Sequence, residues 1–397
     1  MKIEPFTIDV DEDVLVDLRQ RILRTRWPEQ IPRTGWQQGT ELEYLKGLLA
    51  YWADEYDWRT QERALNTFEH FRAEVSGVRV HFVHQRARYG NGIPLILTHG
   101  WPGSFIEYLP VVGMLTDPRA HGIAGPAFDV VVPSLPGYGF SQRPPRTGVD
   151  YRFTARLWHA LMRGLGYERY GAAGTDFGSG VATYMALDDP DPMLGIYLST
   201  LEIVPFSGEG SRPLSDAERA YLDKNDRWWA AEGGYVQIQA TKPQTLSYGL
   251  NDSPAGLAAW IVEKWRTWGD VGGDIDRHFS RELLLTNIML YWVTATIGSS
   301  VRDYSDNLDY FTSVEGVVPG LGDRVGVPTG YSSWPADFGN APLYEPREGL
   351  PPREWIERLY NVAHWTDMPR GGHFASVEEP ALYARDLATF FAKLASV

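Results

Sequence analysis

The chain of 397 residues has no cysteine, which excludes disulfides, a thiol nucleophile and a thiolate metal site and leaves the redox compartment open. It also lacks an uninterrupted hydrophobic run of membrane-spanning length, since the longest, Leu283 to Ile297, is broken by Thr286, Asn287, Thr294 and Thr296. The opening residues, MKIEPFTIDVDEDVLVDL, carry acids where a secretory signal has a basic start and an apolar stretch. Basic charge is scarce: 37 Lys and Arg face 51 Asp and Glu, and the net charge of −14 disfavours nucleic acid and anionic membranes as partners. Repeats and low-complexity tracts are missing too. The expectation is a soluble, cytoplasmic protein with no membrane anchor, for which a homo-oligomer is one option.

Apolar residues are plentiful, 43% of the chain, enough to bury a large core. Aromatics reach 13%, with 15 tryptophans, more than core packing usually demands. Trp228, Trp229, Trp260, Trp265 and Trp268 fall in one middle segment, where they either line an apolar pocket or pack a small core of their own.

The most telling residues are Gly174-Thr175-Asp176-Phe177-Gly178. Short apolar residues from Tyr170 read as a strand and GSGVATYMAL, from Gly178, as a helix, so the five form a strand-to-helix elbow that pushes its central side chain into an active site. The flanking glycines suit so tight a bend. Hydrolases with this elbow normally carry serine at its centre, and here it is aspartate. A serine that opened an epoxide or displaced a halide would end as an ether, with no carbonyl for water to attack. A carboxylate ends as an ester that water can cleave, so the motif points to hydrolysis at an sp3 carbon and away from esterases, lipases and peptidases.

Around the elbow the pattern divides the chain into four stretches. Residues 1–74 read as helical: Asp11 is placed to cap a helix with Val14, Leu15, Leu18 and Ile22 on one face, Leu42 to Tyr56 form a second helix, and a third begins near Trp58. These helices are expected to wrap onto the main domain. Residues 75–205 hold the first part of an α/β core, with strands at Val78–His84, Pro94–Thr98, Phe128–Val132, before the elbow, and at Gly195–Val204. Continuous apolar strands alternating with helices indicate a mostly parallel sheet covered on both faces. Residues 206–300 read as an inserted helical lid, with a capping box at Ser215 and Glu218 and further helix starts at Ser253-Pro254 and Ser280. Residues 301–397 complete the core, with strand signal at Val325–Tyr331 and a last helix over Pro380–Leu394. His81 and His84 are spaced onto opposite faces of a strand and do not make a metal pair, and no metal site is expected.

Elbow hydrolases place nucleophile, acid and histidine in that chain order, each after a strand. His373 in Gly371-Gly372-His373-Phe374 fits the base, with His364 as rival inside a strand-like run. Asp337, in the loop after Tyr331, is the chosen acid, with Asp367, Glu345 and Glu202 as competitors. His99-Gly100-Trp101-Pro102-Gly103-Ser104 directly follows the strand PLILT, where the Trp101 amide joins that of Phe177 in an oxyanion hole. His99 is read as structural, and LPGYGFS, from Leu135, as a turn.

These segments together resemble the epoxide hydrolases of the microsomal type over essentially the whole chain. The resemblance rests on TRWP and YDWR in the N-terminal part, HGWPGS, PGYGFS, the aspartate elbow, GGYVQIQATKPQTLSYGLNDSPAGLAAWIVEKW, VRDYSDN and GGHFASVEEP. It implies an α/β-hydrolase fold with an N-terminal helical segment and an inserted lid, an Asp-His-Asp triad, no cofactor, and two lid tyrosines that carry over to Tyr235 and Tyr304. Phe177 stands where related soluble members often have Trp, and an insertion, Gly339 to Pro352, lengthens the stretch between Asp337 and His373. The implied reaction converts a small-molecule epoxide, apolar or aryl given the tryptophans, to a vicinal diol in detoxification or secondary metabolism, with Trp101, Phe177, Trp228 and Trp229 contacting substrate. Its rivals are a dehalogenase using the same ester and a catalytically inactive binding protein of the same fold.

Overall fold

A computed structural model of the chain describes residues 1–312, 322–337 and 350–394. Among these, nine strands form one sheet: β1 (Ile3–Pro5), β2 (His70–Val75), β3 (Val78–Gln85), β4 (Ile93–Thr98), β5 (Phe128–Pro133), β6 (Tyr170–Gly174), β7 (Met193–Leu198), β8 (Val325–Ser333) and β9 (Tyr360–Asp367). Their order is β1-β2-β3-β5-β4-β6-β7-β8-β9. From β5 onward every pairing is parallel, and β1, β2 and β3 close the other edge antiparallel. β6 is buried along its whole length, as an apolar strand covered on both faces should be.

The expected strand over 195–204 stops at Leu198 because the next residues turn toward the elbow: the Ser199 N–H donates to the Gly174 carbonyl and Thr200 Oγ1 accepts the Asp176 N–H. Two strands near the N-terminus are absent from the helical reading. β1 is only three exposed residues, and β2 carries Arg72 and Glu74, so neither shows the apolar run that marks the central strands. The helices Glu12–Leu23, Leu42–Asp54 and Trp58–Leu65 form where expected, with Leu18 and Ile22 buried. Asp11 sits at the first N-cap without a side-chain capping bond, whereas Glu41 and Asp57 cap the other two by accepting from Tyr44 N–H and Arg59 N–H. These helices also brace the inserted ones: Thr40 Oγ1 donates to the Ala259 carbonyl at 2.7 Å, Tyr44 to Asp276 at 2.8 Å and Arg21 to Asp252 at 2.6 Å.

The described residues between β7 and β8 are mainly helical. Asp216–Glu232 opens with the Ser215–Glu218 capping box, Gly234–Thr241 and Pro243–Asp252 follow, and Ser253 and Ser280 cap Pro254–Trp268 and Arg281–Thr294. Ile297–Asp306 then returns toward the sheet. Among the described residues no single helix is long and apolar enough to cross a membrane, and the one pair that passes jointly, Arg281–Thr294 with Ile297–Asp306, is bent by 90°. His81 bonds to His70 and Ser134 and His84 to Tyr167, and the described residues hold no cluster able to bind a metal ion.

Candidate active site

The elbow forms because β6 ends at Gly174 and a helix, Phe177–Asp188, begins three residues later. Asp176 absorbs the bend at φ 51° and ψ −129°, a conformation that costs an ordinary residue about 1–3 kcal/mol. Side chains are excluded on either side. A Cβ on Gly174 would strike the Gly178 backbone, and one on Gly178 would strike the Thr98 carbonyl of β4. The result aims the Asp176 carboxylate off the carboxyl end of the sheet, at the N-terminus of a helix whose dipole favours negative charge.

The two carboxylate oxygens have different surroundings. Oδ1 accepts the Trp101 N–H at 2.9 Å and the Phe177 N–H at 2.8 Å, the two amides expected to form the oxyanion hole. Oδ2 faces the imidazole of His373, with Nε2 at 3.6 Å. On the other side of the ring, His373 Nδ1 and Asp337 Oδ1 are 2.9 Å apart. The parallel pairing of β8 with β9 sets the two loops side by side, and the Ala336 N–H donates to the Gly371 carbonyl. The histidine loop is held further by the Glu378 carboxylate, which accepts N–H bonds from Asp270, Gly372 and Phe374, and by the His373 N–H donating to the Trp268 carbonyl at 3.0 Å.

Burial and charge set the protonation states. Burial pushes the Asp176 carboxyl up, opposed by His373 and by the Phe177 and Trp101 amides. For His373, burial works against the cation, but the Asp337 hydrogen bond and charge, with those of Asp176 and Glu107, outweigh it and lift the imidazole to about 9. At neutral pH His373 is therefore an imidazolium.

Tyr235, on Gly234–Thr241, and Tyr304, on Ile297–Asp306, meet above this carboxylate from separate helices. Their rings lie edge to face with centroids 5.8 Å apart. Burial raises both phenols well above their ordinary value, so both carry their protons at neutral pH. Trp101 stacks on Tyr235 at 5.6 Å, and Phe177 meets Tyr304 edge-on at 4.8 Å. The Tyr138 hydroxyl in the LPGYGFS turn donates to the Ser300 carbonyl and to Asp303, which ties that turn to the helix carrying Tyr304.

Residues 3–108 match the family model described as the epoxide hydrolase N terminus, and residues 93–232 match that of the α/β hydrolase fold. A protein of Stigmatella aurantiaca provisionally named an epoxide hydrolase is 40% identical across 99% of this chain and 85% of its own length. Epoxide hydrolase 1 of Oryctolagus cuniculus is 36% identical across 98% of this chain and 88% of its own. The chain belongs to the epoxide hydrolase family. The solved epoxide hydrolase of Aspergillus niger superposes with a TM-score of 0.83 at 28% identity, covering 99% of this chain and 97% of that one. The juvenile hormone epoxide hydrolase of Bombyx mori gives 0.82 at 29%, covering 100% and 95%.

In this epoxide hydrolase a cavity of about 550 Å³, within the usual size of small-molecule sites, joins Asp176, Asp337, Tyr235 and Tyr304. Trp228 and Trp229 line it as expected. Trp101 and Phe177 do not, because their rings are taken up in backing the two tyrosines. Trp260, Trp265 and Trp268 also lie outside its wall: Trp260 donates to Gln239, Trp265 stacks on Phe374, and Trp268 packs against Tyr235 and His373. A larger groove of about 760 Å³, between residues 21–45 and 252–259, holds none of Asp176, Asp337, His373, Tyr235 and Tyr304.

Of the rival residues, His364 lies within β9 and bonds to Asp386 at 2.8 Å, Asp367 is exposed at the end of that strand, and Glu202 accepts from Tyr151 instead of His373. Glu345 and most of the Gly339–Pro352 insertion lie outside the described residues. His99 is structural: it bridges the Gly100 carbonyl and the Leu135 N–H, and burial lowers it to about 4. Two residues escape sequence reasoning. Thr200, whose Oγ1 is 2.6 Å from Asp176 N, was hidden in an apparent strand, and Glu107, buried beside Gly103 with its carboxyl raised to about 8 chiefly by burial, sits inside a helical run.

Proposed function

We propose that this enzyme converts an apolar or aryl epoxide to its vicinal diol through an ester on Asp176. Oδ2 attacks an oxirane carbon, the carbon–oxygen bond opens, and Tyr235 and Tyr304 supply the proton taken by the departing oxygen. The product of this half-reaction is a hydroxyalkyl ester. The His373 imidazolium passes its proton to the phenolate left by ring opening, and water then attacks the ester carbonyl carbon as the neutral imidazole, oriented by Asp337, takes its proton. The Trp101 and Phe177 amides stabilise the oxyanion at Oδ1, and collapse returns the carboxylate and frees the diol. Protein side chains and water supply every group in this scheme.

The observation that carries the reading is the asymmetry of the Asp176 carboxylate: one oxygen is bound by two amides and the other faces the base. Single turnover with enzyme in excess in oxygen-18 water tests it. The label is expected in the Asp176 peptide and absent from the first diol, and Asp176→Asn should lower turnover by about 10⁴-fold or more. Label appearing in the diol on the first turnover means direct attack by water and refutes the scheme.

A further inference from the structure

The mechanism leaves two carboxyls on the wall of the catalytic cavity without a task, Asp226 and Glu202, and the second follows the strand beside the elbow. Glu202 follows β7 and lies two residues beyond Thr200, which holds the Asp176 N–H, so its side chain stands on the same rim as the nucleophile. The Tyr151 hydroxyl donates to Oε1 at 2.6 Å. Tyr151 is itself buried, with its ring packed on Phe177, so this oxygen is fixed in place. No hydrogen bond to Oε2 is formed among the described residues, and Glu202 lines a cavity whose wall combines the apolar Leu201, Leu222 and Leu308 with the polar Lys224, Asn225 and Asp226.

We propose that Glu202 is a specificity-determining residue whose carboxyl selects apolar epoxides bearing a hydrogen-bond acceptor, such as an ester or ketone carbonyl, near the oxirane ring. Burial, reinforced by the charge of Asp176, pushes this carboxyl up to about 8 against the Tyr151 bond. It therefore holds a proton at neutral pH. With Oε1 already accepting from Tyr151, the hydroxyl is Oε2–H and is a donor. A substrate with a carbonyl in reach satisfies it, whereas a hydrocarbon epoxide strips it of water and offers nothing in return, an asymmetry that discriminates more strongly than apolar contact.

This inference rests on the Asp176-centred epoxide reading, and two substrates of matched length separate the two. The kcat/KM of glycidyl butyrate, followed by diol formation, is compared with that of 1,2-epoxyoctane in the wild type, Glu202→Gln and Glu202→Leu. The wild type is expected to favour the ester, Glu202→Gln to retain that ratio within about threefold because its amide donates, and Glu202→Leu to lower it about tenfold. An unchanged ratio in Glu202→Leu, or a wild type that favours 1,2-epoxyoctane, overturns the selectivity role while leaving the epoxide reading intact. Equal loss of both activities in Glu202→Gln overturns it as well, since the carboxyl then serves every substrate alike. A wild type that opens neither epoxide sinks the underlying reading and this inference with it.

Discussion

Esterification of Asp176 should convert His373 from an idle acid into a working base. In the resting enzyme the imidazole is held at about 9, so at neutral pH it is protonated and unable to accept a proton from water. Ester formation removes the negative charge of Asp176, whose Oδ2 lies 3.6 Å from Nε2. At an effective dielectric of about 20, that charge at that distance is worth about 4–5 kcal/mol, or roughly three pKa units. The imidazole of the ester intermediate should therefore titrate at roughly 6, with Asp337 preventing a further fall. A group acting as base is active above its pKa, so ester hydrolysis should rise with pH and reach half its plateau near 6. Rapid-quench measurement of hydrolysis from preformed ester, across roughly pH 5 to 9.5, reads this directly. A midpoint near 9 would mean that the imidazole does not feel the loss of the Asp176 charge, and the coupling argument would fail.

Replacing either phenol should slow ester formation more than ester hydrolysis: Tyr235→Phe and Tyr304→Phe are each expected to lower the first step about 10- to 100-fold, and the pair together by about 10³-fold or more. Stopped-flow fluorescence of the nearby tryptophans separates the steps, and an equal effect on both would remove the phenols from the leaving-group role. Asp337→Asn should lower kcat by about 10²- to 10⁴-fold through loss of the imidazole tautomer, with the His373 resonance in an NMR titration moving to lower pKa. An unmoved titration would mean that another carboxylate orients the ring. Gly178→Ala places a methyl group against the Thr98 carbonyl and should destabilise the fold by about 3 kcal/mol or more; a wild-type urea midpoint would refute the packing of elbow against β4.

The parts of this enzyme that could be read from sequence are those fixed by local sterics. The elbow is one: a positive φ at Asp176 and bare backbone at Gly174 and Gly178 are demanded within five residues, so the sequence must show them together. The histidine loop and the central strands β4, β5 and β6 are others, since their glycines and apolar runs have few alternative uses. The length of β7 was misread because TLEIV has the composition of a strand, while a single hydroxyl, that of Thr200, turns the chain toward the elbow. β2 shows no such run for the opposite reason: half-buried Arg72 and exposed Glu74 interrupt its buried residues, and no regular alternation is left to read. The two phenols were not legible from pattern at all. Tyr235 and Tyr304 lie on separate helices and converge only in the folded chain, and among 21 tyrosines nothing local marks them. Resemblance alone named them.

Burial of the side chains around Asp176 also corrects the chemistry that the residue types suggest. A phenol of ordinary acidity would give its proton to an opening epoxide with a wide margin, but burial raises Tyr235 and Tyr304 well above that value and narrows the margin. In the proposed mechanism the same burial, which pushes the Asp176 carboxyl up, favours its carboxylate as nucleophile and so opposes the loss in acid driving force. Both effects have one origin, the inserted helices that close over the carboxyl end of the sheet. Opening that cover would lower the phenol values and quieten the carboxylate together, so the two effects offset and the rate of ring opening should depend on lid closure less steeply than either group's titration taken separately.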